Sequence, residues 1–271
     1  MIMEQTNKND IPVVILCGGR GTRLKEETEV IPKPLVKIGG YPILWHIMKI
    51  YSSYGYNRFI LPVGYKGEKI KEYFLNYASL TGDLTVDFSG GERQLINHTN
   101  VPEKWKITIV DTGLNTETGA RIKRIKPYVK DSDFFLLTYG DGVSDAKIDS
   151  LVNFHKSQGK TVTVTGVRQP ARFGAITIQN SIAVSFMEKS QVRDGYINGG
   201  FFVLDRNIFG FLDEREDIDF SKEILPKLAQ AGELAVFRHD GYWQCMDTFR
   251  DMEFLNEEWI KGEAKWKIWE A

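Results

Sequence analysis

Residues 13–24 read VVILCGGRGTRL, and this stretch decides the fold. Its first four residues form an apolar run that is too short for a buried helix and predicts a buried strand. The run ends in GGRG at residues 18–21, where glycines allow unusual backbone conformations and let N–H groups approach a ligand closely. An amide-lined loop beside Arg23 and Lys33 is typical of a polyphosphate site, although the glycines alone would also fit a plain turn between a strand and a helix.

Two better-known phosphate loops do not fit this stretch. A Walker A loop requires a lysine after its last glycine, and Thr22 follows Gly21 here. A dinucleotide fingerprint requires a glycine where Leu24 stands. The loop therefore belongs to neither class of nucleotide-binding protein.

The composition is that of a globular protein without a large charged face. The chain has 271 residues, and its 35 Lys and Arg nearly balance its 36 Asp and Glu. This balance argues against a nucleic-acid-binding or membrane-surface protein, while it permits a local basic pocket. No apolar run approaches the roughly 18 residues of a membrane span, and the polar residues 1–10 lack the apolar core of a signal peptide.

The cysteines and histidines give no sign of a disulfide framework or a metal centre. Cys17 and Cys245 are the only cysteines, so a reducing cytoplasm is the expected location. We interpret Cys17 as a packing residue, because cysteine behaves as a small and usually buried side chain. The four histidines lack metal-ligand spacing, and no Ser/His/Asp arrangement is evident.

Strands and helices alternate through the first part of the chain. Apolar or alternating runs predict strands at residues 13–16, 59–63, 84–88, 107–110, 134–138 and 161–167. Helical spacing predicts helices at residues 43–54, 67–77 and 147–157, and one that carries Ile122, Ile125 and Val129. This order predicts parallel strands joined by right-handed crossovers. Residues 90–106 are irregular and polar, and they could form a loop over the site or part of a subunit contact.

The second part of the chain is richer in short strands. Strands are predicted at residues 175–178, 184–187, 200–204 and 234–237, and helices at residues 219–231 and 248–261. The predicted fold class is α/β, with a Rossmann-like, mixed, mostly parallel sheet flanked by helices and a β-rich second half. No linker or repeat divides the chain, so residues 1–271 are expected to form one domain. Trp266 and Trp269 in the tail are expected to contribute to subunit contacts, since clustered exposed aromatic residues often mark interfaces.

Two aspartates follow strand ends and are candidate ligands for Mg²⁺. Asp141 lies in TYGDGV and Asp247 in WQCMDT. Ligands of open α/β sheets bind at the carboxyl ends of strands, and Mg²⁺ is held by one or two carboxylates together with substrate phosphates. Alternatively, Asp141 is a turn residue and Asp247 caps a helix.

Lys33 stands between two prolines in PKP. A following proline disfavours helical backbone, so the ammonium group is carried on a stiff extended segment. A solvated surface lysine is the alternative interpretation.

The full pattern of motifs is more specific than any one of them. GGRGTRL, PKPLV and GGYPIL resemble the opening of the sugar-1-phosphate nucleotidyltransferases. The later stretches GYKGEKIKEYF, VDTG, TYGDGV, INGGFFVL and WQCMDT resemble the members of that family that use CTP and glucose 1-phosphate. The resemblance extends from about residue 13 to residue 269.

This resemblance implies roles for individual residues. Asp141 and Asp247 match the pair that holds Mg²⁺, and Arg23 and Lys33 match the residues that contact the nucleotide phosphates. Nucleotide contacts are implied for the following residues: Leu16, Cys17, Gly18, Gly19, Gly21, Thr22, Arg23, Lys33, Thr112, Arg121 and Gly140. Sugar phosphate contacts are implied for these: Tyr139, Gly174, Glu188, Lys189, Asn198, Gly199 and Trp243. The catalytic group would comprise Arg23, Lys33, Asp141 and Lys189.

Two of these assignments carry an alternative or a departure from the family pattern. Arg121 and the loop at 111–118 lie where relatives contact the base, and a guanidinium could read the acceptors of cytosine. Arg121 could equally be a surface residue at a helix start. Ser190 stands where family members usually have a proline after the Glu-Lys pair, which puts the path of that loop in doubt.

The resemblance also implies an activity and partners. The expected reaction is Mg²⁺-dependent transfer of CMP from CTP to α-D-glucose 1-phosphate, giving CDP-glucose and pyrophosphate. Residues 11–170 would bind the nucleotide and residues 171–271 the sugar. A homo-oligomer is expected, a hexamer by resemblance, and the product would feed deoxysugar synthesis for bacterial surface polysaccharide. The alternatives are another acceptor, another nucleotide such as UTP or dTTP, or a regulator that binds nucleotide sugars without turnover.

Overall fold

The structure is a computed structural model that describes residues 7–99, 101–168, 175–179, 182–187 and 195–270, with backbone only for 25, 26, 175–178, 183 and 185–187. The strands are Pro12–Leu16 (β1), Lys37–Ile38 (β2), Tyr41–Pro42 (β3), Arg58–Val63 (β4), Leu84–Asp87 (β5), Gln94–Asn97 (β6), Lys106–Asp111 (β7), Phe134–Tyr139 (β8), Gly142–Ser144 (β9), Val162–Val167 (β10), Ala175–Gln179 (β11), Ile182–Met187 (β12), Ile197–Asp205 (β13), Leu234–His239 (β14) and Trp243–Cys245 (β15). The α-helices are Lys25–Thr28 (α1), Ile43–Ser53 (α2), Gly67–Leu75 (α3), Tyr77–Thr81 (α4), Thr118–Arg124 (α5), Lys126–Val129 (α6), Ile148–Gln158 (α7), Leu225–Gln230 (α8) and Phe249–Ile260 (α9).

A seven-stranded sheet organises the molecule, in the order β14-β10-β13-β8-β1-β4-β7. β1 pairs in parallel with β4 and β8, and β4 pairs in parallel with β7. β13 lies antiparallel between β8 and β10, and β14 is parallel to β10. The predicted mixed, mostly parallel sheet is therefore confirmed, and strands from both parts of the chain build it.

The central strand β1 is buried on both faces, which explains its unbroken apolar run. Val13 and Ile15 pack into one hydrophobic cluster, with α2. Val14 and Leu16 pack into the other, with α5. Since successive side chains of a strand point to opposite faces, one short run supplies both layers of the core. None of the helices in the described part of the chain combines the length and apolar character that a membrane crossing needs.

Several regions differ from the prediction, among them residues 67–77 and 90–106. The helix expected at residues 67–77 ends at Leu75, and α4 follows as a separate segment. The stretch at 90–106 is not wholly irregular, because β6 pairs with β5 as an antiparallel hairpin. A polar, glycine-rich stretch conceals such a strand, since a strand that faces water needs no apolar alternation.

Trp266 of the aromatic tail is buried within its own subunit. Trp266 is fully buried, and its indole N–H donates to Nδ1 of His46 at 3.4 Å. It stacks on Tyr242 with ring centroids 5.6 Å apart and packs near Trp259. The expectation that Trp266 is available for a subunit contact is therefore wrong. We call His46, Tyr242, Trp259 and Trp266 the tail cluster.

Candidate active site

The glycine loop opens a cavity of about 530 Å³ at the carboxyl ends of β1 and β8. The lining residues are 16–23, 33–34, 114–118, 121 and 139–141. Most of the residues predicted to contact nucleotide belong to this lining, so the structure brings them together from distant parts of the chain. This is the place at which open α/β sheets bind their ligands.

Backbone conformation explains the glycine at position 21, and close packing explains the glycine at position 140. Gly21 has a φ of +62°, which favours glycine strongly. A Cβ on Gly140 would lie 2.8 Å from the carbonyl oxygen of Leu16. The loop after β1 therefore lies directly against the end of β8.

A charged cluster lies beside this loop and consists of Arg23, Lys33, Asp141 and Asp247. The Lys33 ammonium donates to Oδ2 of Asp141 at 2.7 Å and to Oδ1 of Asp247 at 2.6 Å. Arg23 donates to the other oxygen of Asp247 at 2.6 Å. One cation, the Lys33 ammonium, therefore contacts an oxygen of each carboxylate.

A short strand pairing brings these aspartates together. β9 and β15 are antiparallel, with Gly142 opposite Cys245. Beyond that pair, the N–H of Met246 donates to the carbonyl oxygen of Asp141 at 2.8 Å. The pairing therefore places Asp141 next to Asp247.

Asp247 does not cap the following helix. Thr248 is the N-cap of α9, and Thr248 and Asp251 form a capping box. The alternative interpretation of Asp247 as a helix cap is therefore excluded, and its carboxylate is available to the charged cluster.

Lys33 is held in the middle of the cluster and stays charged. Its side chain is 11% exposed, so it is not a solvated surface lysine. Lys33 begins a 3₁₀ turn with the buried Pro34 and Leu35, so the prediction of an extended segment is wrong at this residue. Burial lowers the pKa of Lys33, but the charge of Asp141 and the hydrogen bonds to both aspartates outweigh it and raise the pKa above its ordinary value. By contrast, the side chain of Arg23 is 74% exposed and forms the outer edge of the cluster.

Arg121 is buried beneath the glycine loop, at 4% exposure, so it is not a surface residue. Its guanidinium donates to the carbonyl oxygens of Gly18 at 3.1 Å and Val63 at 3.1 Å. A Cβ on Gly18 would collide with that guanidinium, and a Cβ on Gly64 would lie 2.5 Å from it. Arg121 therefore fits only because both neighbours are glycine.

The charge of Arg121 is not matched by an ion pair with any described residue. Burial lowers its pKa, and the negative charge of Glu117 opposes that change. A buried cation that lines a cavity favours a ligand with anionic or carbonyl oxygens.

Thr112 and Cys17 are both buried. Thr112 is fully buried and accepts a hydrogen bond from Arg121 at 2.6 Å. Cys17 is 1% exposed, and burial raises the pKa of its thiol, as expected for the predicted packing residue. Thr112 lies behind the cavity lining, whereas Cys17 is part of that lining.

The predicted sugar-side residues are brought together in part. The indole N–H of Trp243 donates to the carbonyl oxygen of Gly199 at 2.7 Å. The amide of Asn198 donates to the hydroxyl of Tyr139 at 3.4 Å. Tyr139 also lines the cavity, so these residues adjoin it. Three further candidates lie outside the described residues: Gly174, Glu188 and Lys189.

Sequence reasoning missed part of the cavity wall. Arg20 donates to Oδ1 of Asn115 at 3.0 Å and so links the glycine loop to the loop after β7. Pro34, Leu114 and Glu117 also line the cavity. Arg20 lies in the predicted glycine loop, and Leu114, Asn115 and Glu117 lie in the predicted loop at 111–118. Nothing in the sequence showed which side chains of these loops face the cavity.

Comparisons with known proteins identify relatives of this chain. The sequence profile described as Nucleotidyl transferase matches residues 12–258. A Bacillus subtilis protein named probable glucose-1-phosphate cytidylyltransferase is 49% identical over 94% of this chain and 99% of its own length. A Salmonella typhi protein named glucose-1-phosphate cytidylyltransferase is 50% identical over 95% of this chain and 99% of its own length.

Solved structures support the fold. HddC from Yersinia pseudotuberculosis superposes with a TM-score of 0.68 at 24% identity, over 92% of this chain and 99% of that protein. The inositol-1-phosphate CTP transferase of T. maritima superposes with a TM-score of 0.64 at 18% identity, over 96% and 97% of the two chains. Together with the sequence matches, the shared fold shows that the chain belongs to the nucleotidyl transferase family, among relatives that are glucose-1-phosphate cytidylyltransferases.

Proposed function

We propose that the chain transfers CMP from CTP to α-D-glucose 1-phosphate and releases pyrophosphate. The observation that carries this proposal is the meeting of Lys33, Asp141 and Asp247 beside a glycine loop. That arrangement offers amides and cations to phosphates and a carboxylate pair to a divalent ion. The choice of CTP and glucose 1-phosphate follows the names of two relatives that are 49% and 50% identical to this chain.

The donor set fits Mg²⁺. Asp141 and Asp247 offer hard carboxylate oxygens that already converge on one cation, the Lys33 ammonium. No group of three or more His, Cys, Asp or Glu suited to a metal occurs within the described residues, so substrate phosphates and water would complete the coordination. When bound, Mg²⁺ would neutralise the charge of the reacting phosphates.

The reaction demands alignment and charge neutralisation from the protein. An oxygen of glucose 1-phosphate attacks the α-phosphorus of CTP, a new P–O bond forms, and the bond to the β-phosphate oxygen breaks as pyrophosphate leaves. The attacking phosphate is already ionised, so no protein base is required. Lys33 and Arg23 would contact the triphosphate, and the amides of the glycine loop would orient it.

Arg121 and Glu117 would receive the base. Both line the cavity and carry opposite charges, at and just before the start of α5. Cytosine presents acceptors at O2 and N3 and a donor amine at N4, which a guanidinium and a carboxylate could match. Uracil presents an acceptor in place of that amine, so the same pair would disfavour UTP.

A grid of substrates tests the proposal. Purified chain with Mg²⁺ is mixed with each of four nucleoside triphosphates and several sugar 1-phosphates, and pyrophosphate release is measured. We expect kcat/KM for CTP with glucose 1-phosphate to exceed that of every other pair by at least about tenfold. A higher value for UTP, dTTP or another acceptor would assign a different transferase. Tight CTP binding with no pyrophosphate from any pair would favour a regulator.

The sugar side of this proposal rests on residues at and near Tyr139. Tyr139, Asn198, Gly199 and Trp243 adjoin the cavity, and Lys189 is proposed to hold the sugar phosphate. Lys189→Ala should raise KM for glucose 1-phosphate and leave KM for CTP nearly unchanged. Unchanged kinetics for both substrates would remove Lys189 from the site.

We further propose that the chain assembles as a homo-oligomer through the β5–β6 hairpin. Its apolar side chains are exposed, including Val86 at 42%, Phe88 at 67% and Ile96 at 47%. A two-stranded hairpin is at best marginally stable alone, so a partner surface would stabilise it. Sedimentation should show an oligomer, a hexamer by resemblance, that dissociates with Val86→Lys; a monomeric wild type would refute this.

We place the reaction in the cytoplasm, with neither nucleic acid nor membrane as partner. The support is a chain with nearly balanced charge and two free cysteines. The test compares the activity of the chain in a cytoplasmic lysate with the activity of a fusion exported to an oxidising compartment. Higher activity of the exported fusion would contradict this placement.

A further inference from the structure

Lys33 is placed where a metal ion would have to go. Its ammonium contacts one oxygen of Asp141 and one of Asp247, at 2.7 and 2.6 Å. Those are the oxygens that a shared divalent ion would approach. The ammonium therefore competes with the metal for the same carboxylates.

The position of Lys33 is imposed by its backbone. Pro32 precedes it in an extended conformation, and Pro34 and Leu35 are buried in the 3₁₀ turn that it begins. Its side chain is 11% exposed, so little water can replace the carboxylates as partners. A displaced ammonium would be a buried charge without a partner, which is strongly unfavourable.

The cluster is neutral before any ligand binds, because Arg23 and Lys33 balance Asp141 and Asp247. A divalent ion that entered alone would face two cations and leave Lys33 unpaired. If nucleotide phosphates enter with the ion, their oxygens supply the ammonium with new acceptors.

We propose that Lys33 closes the carboxylate pair to free divalent metal, so that the metal and the nucleotide phosphates bind as a unit. This inference rests on the proposed function for the identity of the phosphates. Lys33 then couples metal binding to nucleotide binding, because its ammonium group exchanges the carboxylate oxygens for phosphate oxygens. Arg23 contributes less, because it contacts one carboxylate and is largely exposed.

Metal binding without nucleotide tests the inference directly. The probe is Mn²⁺, and free Mn²⁺ is measured by electron paramagnetic resonance during titration of the full chain with no CTP. We expect Lys33→Met to bind Mn²⁺ at least about tenfold more tightly than wild type. Arg23→Met should show a smaller gain. Lys37→Met is the matched control, since Lys37 is an exposed lysine close in sequence, and it should bind as wild type does.

A double variant shows that the gained site is the carboxylate pair. Adding Asp141→Asn to Lys33→Met should abolish the gain. Thermal unfolding with and without Mn²⁺ gives a second measure, because a ligand that binds the folded state raises Tm. Lys33→Gln, which keeps a polar side chain, replaces Lys33→Met if that variant unfolds.

The outcomes separate this inference from the proposed function. Equal or weaker Mn²⁺ binding by both Lys33 variants overturns the inference, whatever the wild type catalyses. A wild type that releases no pyrophosphate from CTP and glucose 1-phosphate refutes the proposed function, while a tighter Mn²⁺ site in Lys33→Met would still support the closing role.

Discussion

In the charged cluster, Lys33 is stabilised by two carboxylates that remain 29% and 19% exposed. In the tail cluster, His46 is fully buried and keeps neutral partners, since Nε2 lies 2.9 Å from the carbonyl oxygen of Ile38 and Nδ1 accepts from Trp266. Both regions keep polar groups away from water. Only the first has partners that an incoming ligand can reach and replace.

The difference separates binding chemistry from structural chemistry. An ion pair at the edge of a cavity can exchange a protein oxygen for a phosphate oxygen at little net change. A neutral hydrogen bond inside an aromatic cluster has no such substitute, and breaking it leaves an unsatisfied group. We therefore expect changes in the tail cluster to affect folding and changes in the charged cluster to affect turnover.

The largest effect on folding is expected for Trp266→Ala. The change removes a fully buried indole that contacts His46, Tyr242 and Trp259, and should lower the free energy of unfolding by about 3–5 kcal/mol. Urea denaturation measures this. Trp269→Ala is the control, because Trp269 is only partly buried, and its loss should be clearly smaller. Similar losses for the two variants would contradict the central place given to Trp266.

Asp141→Asn and Asp247→Asn should lower turnover and leave the fold unchanged. Each removes a charge from the proposed metal pair, so kcat should fall by at least about a hundredfold, which corresponds to roughly 3 kcal/mol of transition-state stabilisation. The far-ultraviolet circular dichroism spectrum should stay that of the wild type. A variant that keeps near-wild-type turnover with Mg²⁺ would show that the metal assignment is wrong.

A smaller effect is expected from a matched pair of glycines. A Cβ on Gly18 would collide with Arg121, whereas a Cβ on Gly19 meets no described atom within 4 Å. Gly18→Ala should therefore lower the free energy of unfolding by about 1–3 kcal/mol, and Gly19→Ala should change it by less than about 0.5 kcal/mol. Equal losses would mean that Arg121 moves aside without cost.

The smallest effect is the pH dependence that His46 adds to stability. Burial lowers the pKa of His46 from 6.5 to about 4, so below pH 6.5 the unfolded chain binds a proton that the folded chain refuses. Its contribution is complete above pH 6.5 and is lost as the pH falls toward 4, which amounts to about 1–2 kcal/mol between pH 7 and pH 5. Urea titrations of wild type and His46→Gln should differ by this pH-dependent amount. Parallel pH profiles would show that His46 titrates normally.

The sheet could be predicted because its strands are regular and buried. β1, β4 and β8 are apolar runs with clear ends, and their loops carry the glycines and the aspartate that mark a ligand site. The exposed strand β6 could not be predicted, since it buries none of its residues. Sequence periodicity reports burial, so it misses a strand whose side chains are all exposed.

Contacts between residues distant in the sequence could not be predicted from local patterns. Asp141 and Asp247 could be proposed separately, but only the pairing of β9 with β15 shows that they meet. The burial of Arg121 depends on Gly18 and Gly64, which no local pattern connects. Trp266 lies in a charged tail, where nothing in its neighbours indicates a buried side chain.

The pairing of β9 with β15 also has a consequence for synthesis on the ribosome. Asp141 leaves the ribosome well before Asp247, because 105 residues separate them in the sequence. A nascent chain can build the glycine loop and most of the sheet while it still has half of the carboxylate pair. A product that stops before Asp247 therefore carries Lys33 with a single aspartate, and the site matures only after the segment that contains Asp247 has been made.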